Sequence, residues 1–379
     1  MSKNTYSALK ALTCVAMSLP GMVPSSNAES PPDKTSVSYR YTQYSEADQV
    51  NKQTINSETT ANSVPRYDIN VHQFLIKGAA TSNTDYSIGL ATESMSGASP
   101  WFVRPGEVAE EDPPIQVMSG ASIDEQRTDA NANVGFYTKA AKFGVGIATS
   151  NENDYNSVSA SANTSFWFNQ KNTTVDFSLA YSDDKIEPTD ADIFTTRPIE
   201  ESKNSTSFAA GIAHNVNKNL VIGSSVNYAV YECFLSDPYK LAWVNGDIVA
   251  DSRPDSRAQT AFNLQARYYL PAAKAALHSD LRLFSSDWGT HSTTLNLAWY
   301  QNFGSWQVVP RLRYYSQTAA DFYQNFYEEE RADAFYSSDY RLSAFDAISS
   351  RIKISKHFEV ASLHFLYESY NSQGKGDDP

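Results

Sequence analysis

Two cysteines are all that this 379-residue chain contains, and what it lacks narrows the reading first. Cys14 lies in a leader-like opening segment, so Cys233 alone remains for the mature chain and no intramolecular disulfide can form. No CxxC, HExxH or GxSxG motif occurs, which removes the commonest signatures of thiol redox, zinc hydrolase and serine hydrolase chemistry. Long apolar runs are missing as well. After the opening segment no stretch reaches 18 consecutive apolar residues, so a transmembrane helix is not expected. There is no basic excess either: Lys and Arg total 30 against 43 Asp and Glu, a formal charge of −13, which argues against a nucleic-acid partner.

The opening residues have the build of an export signal. Lys3 and Lys10 supply a positive start, residues 11–23 a short apolar stretch, and Ser26-Asn27-Ala28 small residues for cleavage after Ala28. Thirteen residues interrupted by Pro20 are too few to span a bilayer. Thr13 before Cys14 argues against a lipoprotein cleavage site. Removing residues 1–28 takes away two lysines and no acid, moving the charge from −13 to −15. The expected division is a signal peptide, 1–28, and one domain, 29–379, closing on a polar tail at 371–379.

What is present is period-two alternation, the mark of a strand with two different faces. Tyr86, Ile88 and Leu90 alternate with Asp85, Ser87, Gly89 and Ala91; Val175, Phe177, Leu179 and Tyr181 with Thr174, Asp176, Ser178 and Ala180; Phe262 and Leu264 with Asn263 and Gln265. About sixteen such segments are legible, near 36–44, 66–76, 83–94, 128–138, 142–151, 155–168, 172–182, 203–214, 219–231, 257–270, 274–286, 290–302, 306–317, 339–346, 349–356 and 358–370. The last three are weaker, leaving fourteen as the lower count. Long connections (45–65, 95–127, 183–202, 232–256 and 318–338) all follow odd-numbered segments. A sandwich has no reason for that parity, whereas a membrane barrel puts short turns on one side and long loops on the other. Tyr and Phe are abundant, at 23 and 19. Trp299, Phe303 and Trp306 bracket one short turn, as rings at a lipid–water interface do. The sequence thus predicts an all-β fold: a closed, antiparallel, porin-like transmembrane β-barrel in the outer membrane of a Gram-negative envelope, with its lipids as the surrounding partner.

Several phrases carry a resemblance: "SDPYK" at 236–240, "RPDSR" at 253–257, "SDWGTHS" at 286–292, "PRLRYYSQTAADFY" at 310–323 and "SSDYRLSAF" at 337–345, with "SGASP" and "YSDDKIEP" (181–188). Together they resemble a bacterial family catalogued only as a domain of unknown function. The resemblance covers most of the mature chain, and it implies an outer-membrane β-barrel. It further implies genes beside those for a thioredoxin-like protein, a flavin transferase and a small lipoprotein, hence an envelope redox or lipoprotein partner. It carries over no activity.

On the inward parity Arg267, Arg282, Arg311 and Arg313 fall on neighbouring strands, with His278 and Asp280 beside Arg282. Such a basic wall can select anions; the plainer reading is that the arginines pair with carboxylates and brace the barrel. The loop carboxylates Glu107, Glu110, Glu111 and Asp112, and Glu328 to Glu330, suit divalent cations by donor type, but no twelve-residue calcium loop is present and a solvated surface is the simpler expectation. No metal site or cofactor is expected. His291 and Ser292 are adjacent, so on a strand they face opposite ways and cannot act as a dyad; no catalytic residue is assigned. Cys233 is expected to be buried.

Met-Ser-Gly-Ala-Ser occurs at 95–99 and again at 118–122, both within one connection. Gly97 and Gly120 suit turns, and Trp101 and Phe102 between them are ill suited to water. The expectation is a loop folded into the lumen, with Ser96, Gly97, Trp101, Phe102 and Gly120 at its functional face. The alternatives are a loop lying over the rim, or an anion or cofactor held by the backbone N–H groups of the two turns. Three function classes follow: a pore or transporter with a narrowed lumen, a non-conducting barrel that docks an envelope partner, and, least favoured, a membrane enzyme.

Overall fold

The computed structural model describes residues 30–375, apart from 48, 56–57, 65–66, 98–99, 107–113 and 119–122. The expected leader lies outside the described residues. In chain order the strands are β1 (Ser36–Ser45), β2 (Gln49–Ile55), β3 (Glu58–Val64), β4 (Asp68–Thr81), β5 (Thr84–Gly97), β6 (Pro100–Arg104), β7 (Ile115–Met118), β8 (Ile123–Tyr137), β9 (Ala141–Asn151), β10 (Tyr155–Phe168) and β11 (Thr173–Ile186). They continue with β12 (Glu201–Asn217), β13 (Leu220–Cys233), β14 (Leu241–Val244), β15 (Asp247–Ala250), β16 (Ser256–Leu270), β17 (Ala275–Ser286), β18 (His291–Phe303), β19 (Trp306–Gln317), β20 (Phe345–His357) and β21 (Ser362–Gly374). Among the described residues the one helical element is a 3-10 turn, Tyr340–Leu342. No helix among the described residues is long and apolar enough to cross a membrane.

A single 15-stranded sheet holds most of these, ordered β1-β4-β5-β8-β9-β10-β11-β12-β13-β16-β17-β18-β19-β20-β21. Neighbours are antiparallel throughout, as between β8 and β9 or β16 and β17. The pairs β2–β3, β6–β7 and β14–β15 form separate hairpins inside the long connections. Those connections all leave the same end of the sheet, as the loop parity predicts.

Two differences from the sequence reading have local causes. The expected strand at 339–346 is largely a turn: Asp339 caps the 3-10 helix by accepting from Arg341 N–H, and the sheet resumes only at Phe345. The segments near 339–346 and 349–356 thus contribute one strand, β20. The three hairpins went unread because each strand is short and their alternation serves the loop rather than the sheet.

Register divides the sheet into two chemically opposite faces. Phe136 pairs with Phe143, Val134 with Val145 and Ala132 with Ile147, all on one side. Their neighbours Ile88 and Leu90 on β5 share that side. These side chains lie open, Ile147 at 66% and Val145 at 62%. The other face turns Ser150, Ser157, Ser225, Ser349 and Ser355 inward, all buried. A water-soluble protein hides its apolar face; here the polar face is hidden and the apolar one exposed. Contiguous apolar surface on this scale exceeds what soluble monomers carry.

The first and last strands approach each other. Fourteen antiparallel steps through fifteen strands leave β1 and β21 pointing the same way. The charge of Arg40 on β1 acts on His364 of β21 and on Lys353 of β20, and Glu46, just past β1, acts on Tyr370 of β21. No ladder joins β1 and β21 among the described residues.

The long connections build a cap with cores of its own. Trp288, Ala320, Phe322 and Leu342 form one buried cluster, and Ala242, Val244 and Tyr327 another. Tyr327 Oη donates to the Phe322 carbonyl at 2.5 Å, and burial pushes its pKa up to about 12. Gly289, at φ +79°, occupies the β17–β18 turn where a Cβ would collide with the Asp321 carboxylate.

Candidate functional site

The inward face of β16–β21 is a basic wall. It carries Arg257 and Arg267 on β16, Arg282 on β17, Arg311 and Arg313 on β19, and Arg351 and Lys353 on β20. Their alignment follows from register: Arg267 opposes His278, Asn263 opposes Arg282, Asn296 opposes Arg313 and Arg311 opposes Arg351. Carboxylates on this wall are few, Asp280 and Glu368 among them. All six expected wall residues therefore share one face, but they fall into two groups.

Arg267, Asp280 and Arg311 belong to a braced network. Arg267 forms an ion pair with Asp280 and donates to Ser279 O at 3.0 Å. Asn296 Nδ2 donates to Asp280 at 2.8 Å, and the Asn296 side-chain oxygen accepts from Arg311 Nε. His278 lies with its ring 4.2 Å from that of Tyr300. Arg351 reaches Glu368 only at 4.0 Å, and its buried Nε has no partner among the described residues.

Arg282 and Arg313 are different. Among the described residues neither has a carboxylate within salt-bridge distance. The Arg282 guanidinium stands 6.0 Å from the Phe284 ring, and that of Arg313 stands 5.9 Å from the Tyr315 ring. Tyr231 and Tyr315 lie within electrostatic reach of Arg282, and Tyr370 within reach of Arg313. The sequence reading named the two arginines but missed Arg257, Arg351, Lys353 and the tyrosines. Those lie on the same inward parity, which was the signal available.

The part of the same face on β5 to β12 is rich in carboxylates, and several of these are ion-paired. Glu93 binds Arg127 at 2.9 Å, Asp85 binds Lys142 at 2.9 Å and Asp184 binds Lys203 at 3.1 Å. Ser150 donates to Asp129 at 2.6 Å, and Ser165 donates to Asp176. Charge is therefore divided along this face, basic on β16 to β21 and acidic on β5 to β12.

Above the basic wall sits the cap, held by buried ion pairs. Arg253 binds Asp251 at 2.7 Å and Asp339 at 2.8 Å; Arg341 binds both Asp339 and Asp237. Burial alone would raise the Asp339 pKa, yet the Arg341 and Arg253 guanidinium groups outweigh it and hold the carboxyl well below its usual range. Gln317, at the loop end of β19, donates to Ser343 O at 2.6 Å and to Arg341 O at 3.1 Å, joining wall to cap.

The connection with the doubled phrase joins this cap through its hairpin. Phe102 and Val103 are buried, Trp101 is half-buried and meets Phe194 edge-on at 6.3 Å, and β6 packs on β14. The Lys240 ammonium donates to the Pro100 carbonyl. Ser96 is exposed and Gly97 is buried at φ +133°, while Gly120 lies outside the described residues.

Cys233 is exposed rather than buried, at the end of β13 with φ +79°, where the chain leaves the sheet. His291 and Ser292 are consecutive on β18 and take opposite faces. The loop carboxylates Glu107 to Asp112 lie outside the described residues, and Glu328 to Glu330 are exposed around a shallow pocket that includes Arg331. A carboxylate group unseen in the sequence gathers at the β9–β10 turn, where oxygens of Glu125, Glu152 and Asp154 lie within 4.8 Å of one another. Burial raises the Glu152 pKa to about 7.

Among solved structures, the chain is similar to a doubly substituted ferric enterobactin receptor of Pseudomonas aeruginosa (11% identity, TM-score 0.43), covering 92% of this chain and 54% of that one. It is also similar to the FrpB iron transporter of Neisseria meningitidis (9% identity, TM-score 0.44), covering 89% and 56%. A third is the ferric yersiniabactin uptake receptor of Yersinia pestis (10% identity, TM-score 0.44), covering 86% and 56%. The chain thus spans about half the length of these structures. Among curated proteins no relative matches. A family profile described as a protein of unknown function, DUF3570, matches residues 9–378, and the chain belongs to that family.

Proposed function

We propose that the sheet closes in the outer membrane of a Gram-negative cell as a β-barrel, and that it is a pore or transporter whose lumen is narrowed by its loops. The observation that carries this is the inversion of faces. Open sheet edges and exposed apolar strands are penalised in water, while a closed sheet with an apolar exterior is what a bilayer accepts. Within that reading the polar, charge-divided face lines the lumen, and the cap, including the hairpin of β6 and β7, covers its mouth. A second reading, a non-conducting barrel that docks an envelope redox or lipoprotein partner, is favoured by the cap itself, which has its own buried cores and ion pairs.

Single-channel recording in a planar bilayer separates the two. The intact chain is expected to conduct in small steps or not at all, and a chain with residues 98–122 replaced by a short linker to conduct in larger, discrete steps. Silence from both forms, with insertion shown by protease protection, would reject the pore in favour of the docking barrel.

A further inference from the structure

We propose that Arg282, Arg313 and Tyr315 form a binding site for a small anion that carries an aromatic ring. The inference deepens the lumen reading above and rests on it. The same wall shows what a bracing arginine looks like: Arg267 has Asp280, and Arg311 has Asn296. Arg282, which is exposed, and Arg313, which is half-buried, have no such partner among the described residues, although anions are the strongest partners a guanidinium group takes. Glu93, Asp85 and Asp184 on β5 and β11 are already committed to Arg127, Lys142 and Lys203. In this proposal the negative charge that answers the two guanidinium groups is that of a bound ligand.

Register brings the groups together. Arg282 opposes Thr294, and Thr294 opposes Tyr315, so the three lie level on adjacent strands; Arg313 is the next inward residue beside Tyr315. Strands stand about 4.8 Å apart, so the Arg282 and Tyr315 backbones are separated by roughly 10 Å, which two long guanidinium arms span around a ligand the size of a substituted benzene. Phe284 and Tyr315 flank the guanidinium groups. Ring faces beside fixed cations favour a ligand with both a charge and a π-face over a bare inorganic anion. Tyr315 Oη also donates to Gln317 at 2.6 Å, and Gln317 holds the cap, so the site lies directly beneath the mouth cover.

The test is calorimetric titration of phenyl phosphate, inorganic phosphate and phenol into the full-length protein folded in detergent micelles. Phenyl phosphate is expected to bind at least about tenfold more tightly than inorganic phosphate, phenol not to bind, and the double variant R282Q/R313Q to lose at least about tenfold in affinity for phenyl phosphate. Should that variant fail to fold, Tyr315→Leu keeps both charges and is expected to erase the preference for phenyl phosphate over phosphate. Equal affinity for the two phosphates, no binding by the folded chain, or unchanged binding in R282Q/R313Q would overturn the proposal. Vesicle insertion is scored separately: a chain that inserts but does not bind phenyl phosphate sinks this site alone, whereas a folded chain that will not insert sinks the membrane reading first.

Discussion

Asp339 is the residue on which the cap depends. It is 1% exposed, accepts from both Arg253 and Arg341, and caps the short helix that follows it. Removing one partner of a buried ion pair leaves the other charged and unsolvated, which typically costs about 3–5 kcal/mol. Asp339→Ala is therefore expected to open the segment 318–344 to protease while the sheet stays intact, read by limited proteolysis and strand circular dichroism. Asp339 also sets a pH dependence. Its folded pKa is lowered, so its contribution is complete above the unfolded carboxylate value of about 3.9 and is lost as pH falls through the lower folded value. Cap proteolysis is expected to be flat from neutrality down to about pH 4 for this group and to rise below it.

At the scale of elements, the β9–β10 turn carries the opposite sign. Glu152 has its pKa raised by burial to about 7. The folded turn prefers the protonated acid, so its stabilising contribution is full below the unfolded glutamate value of about 4.3 and declines as pH rises through about 7. Hydrogen exchange at the Glu152 amide, which donates to Tyr155 O at 2.7 Å, is expected to lose protection over that interval beyond the ordinary base-catalysed trend, and Glu152→Gln to flatten the loss. The β17–β18 turn makes a steric test. Gly289→Ala introduces a Cβ both at positive φ and against Asp321, so the docking of residues 318–323 on this turn should fail. Enhanced cleavage of that segment with unchanged sheet content is the expected result.

At the scale of the whole molecule, the barrel reading turns on the meeting of β1 and β21. If the sheet closes as proposed, its fifteen antiparallel strands meet in a parallel β1–β21 seam, and the alignment to be tested sets Arg40 level with His364. In a Cys233→Ser background, Thr42→Cys with Leu366→Cys lies level in that alignment and is expected to cross-link on mild oxidation in membranes. Thr42→Cys with Tyr370→Cys is displaced by four residues along the strand, roughly 13 Å, and should not. Cross-linking of the displaced pair in preference would reject the alignment, and failure of both pairs would mean the seam stays open.

The alternation of residues determined the strands, their faces and the parity of the loops by itself. A side chain's side of a strand is set by counting in twos, so Ile147 and Arg313 could be placed outside and inside before any coordinates. The same counting failed at Tyr340-Arg341-Leu342, where Asp339 capped a turn, and it was silent on hairpins whose partners lie within their own loops. Only the tertiary structure decided which arginines are braced and which are not. Parity puts Arg267, Arg282, Arg311 and Arg313 on one wall, but whether an acid or amide stands within about 3 Å depends on register between strands and on the height of each residue along them. It likewise brought Asp237, Asp251 and Asp339 from separate loops around Arg253 and Arg341, a convergence that no local pattern in the chain records.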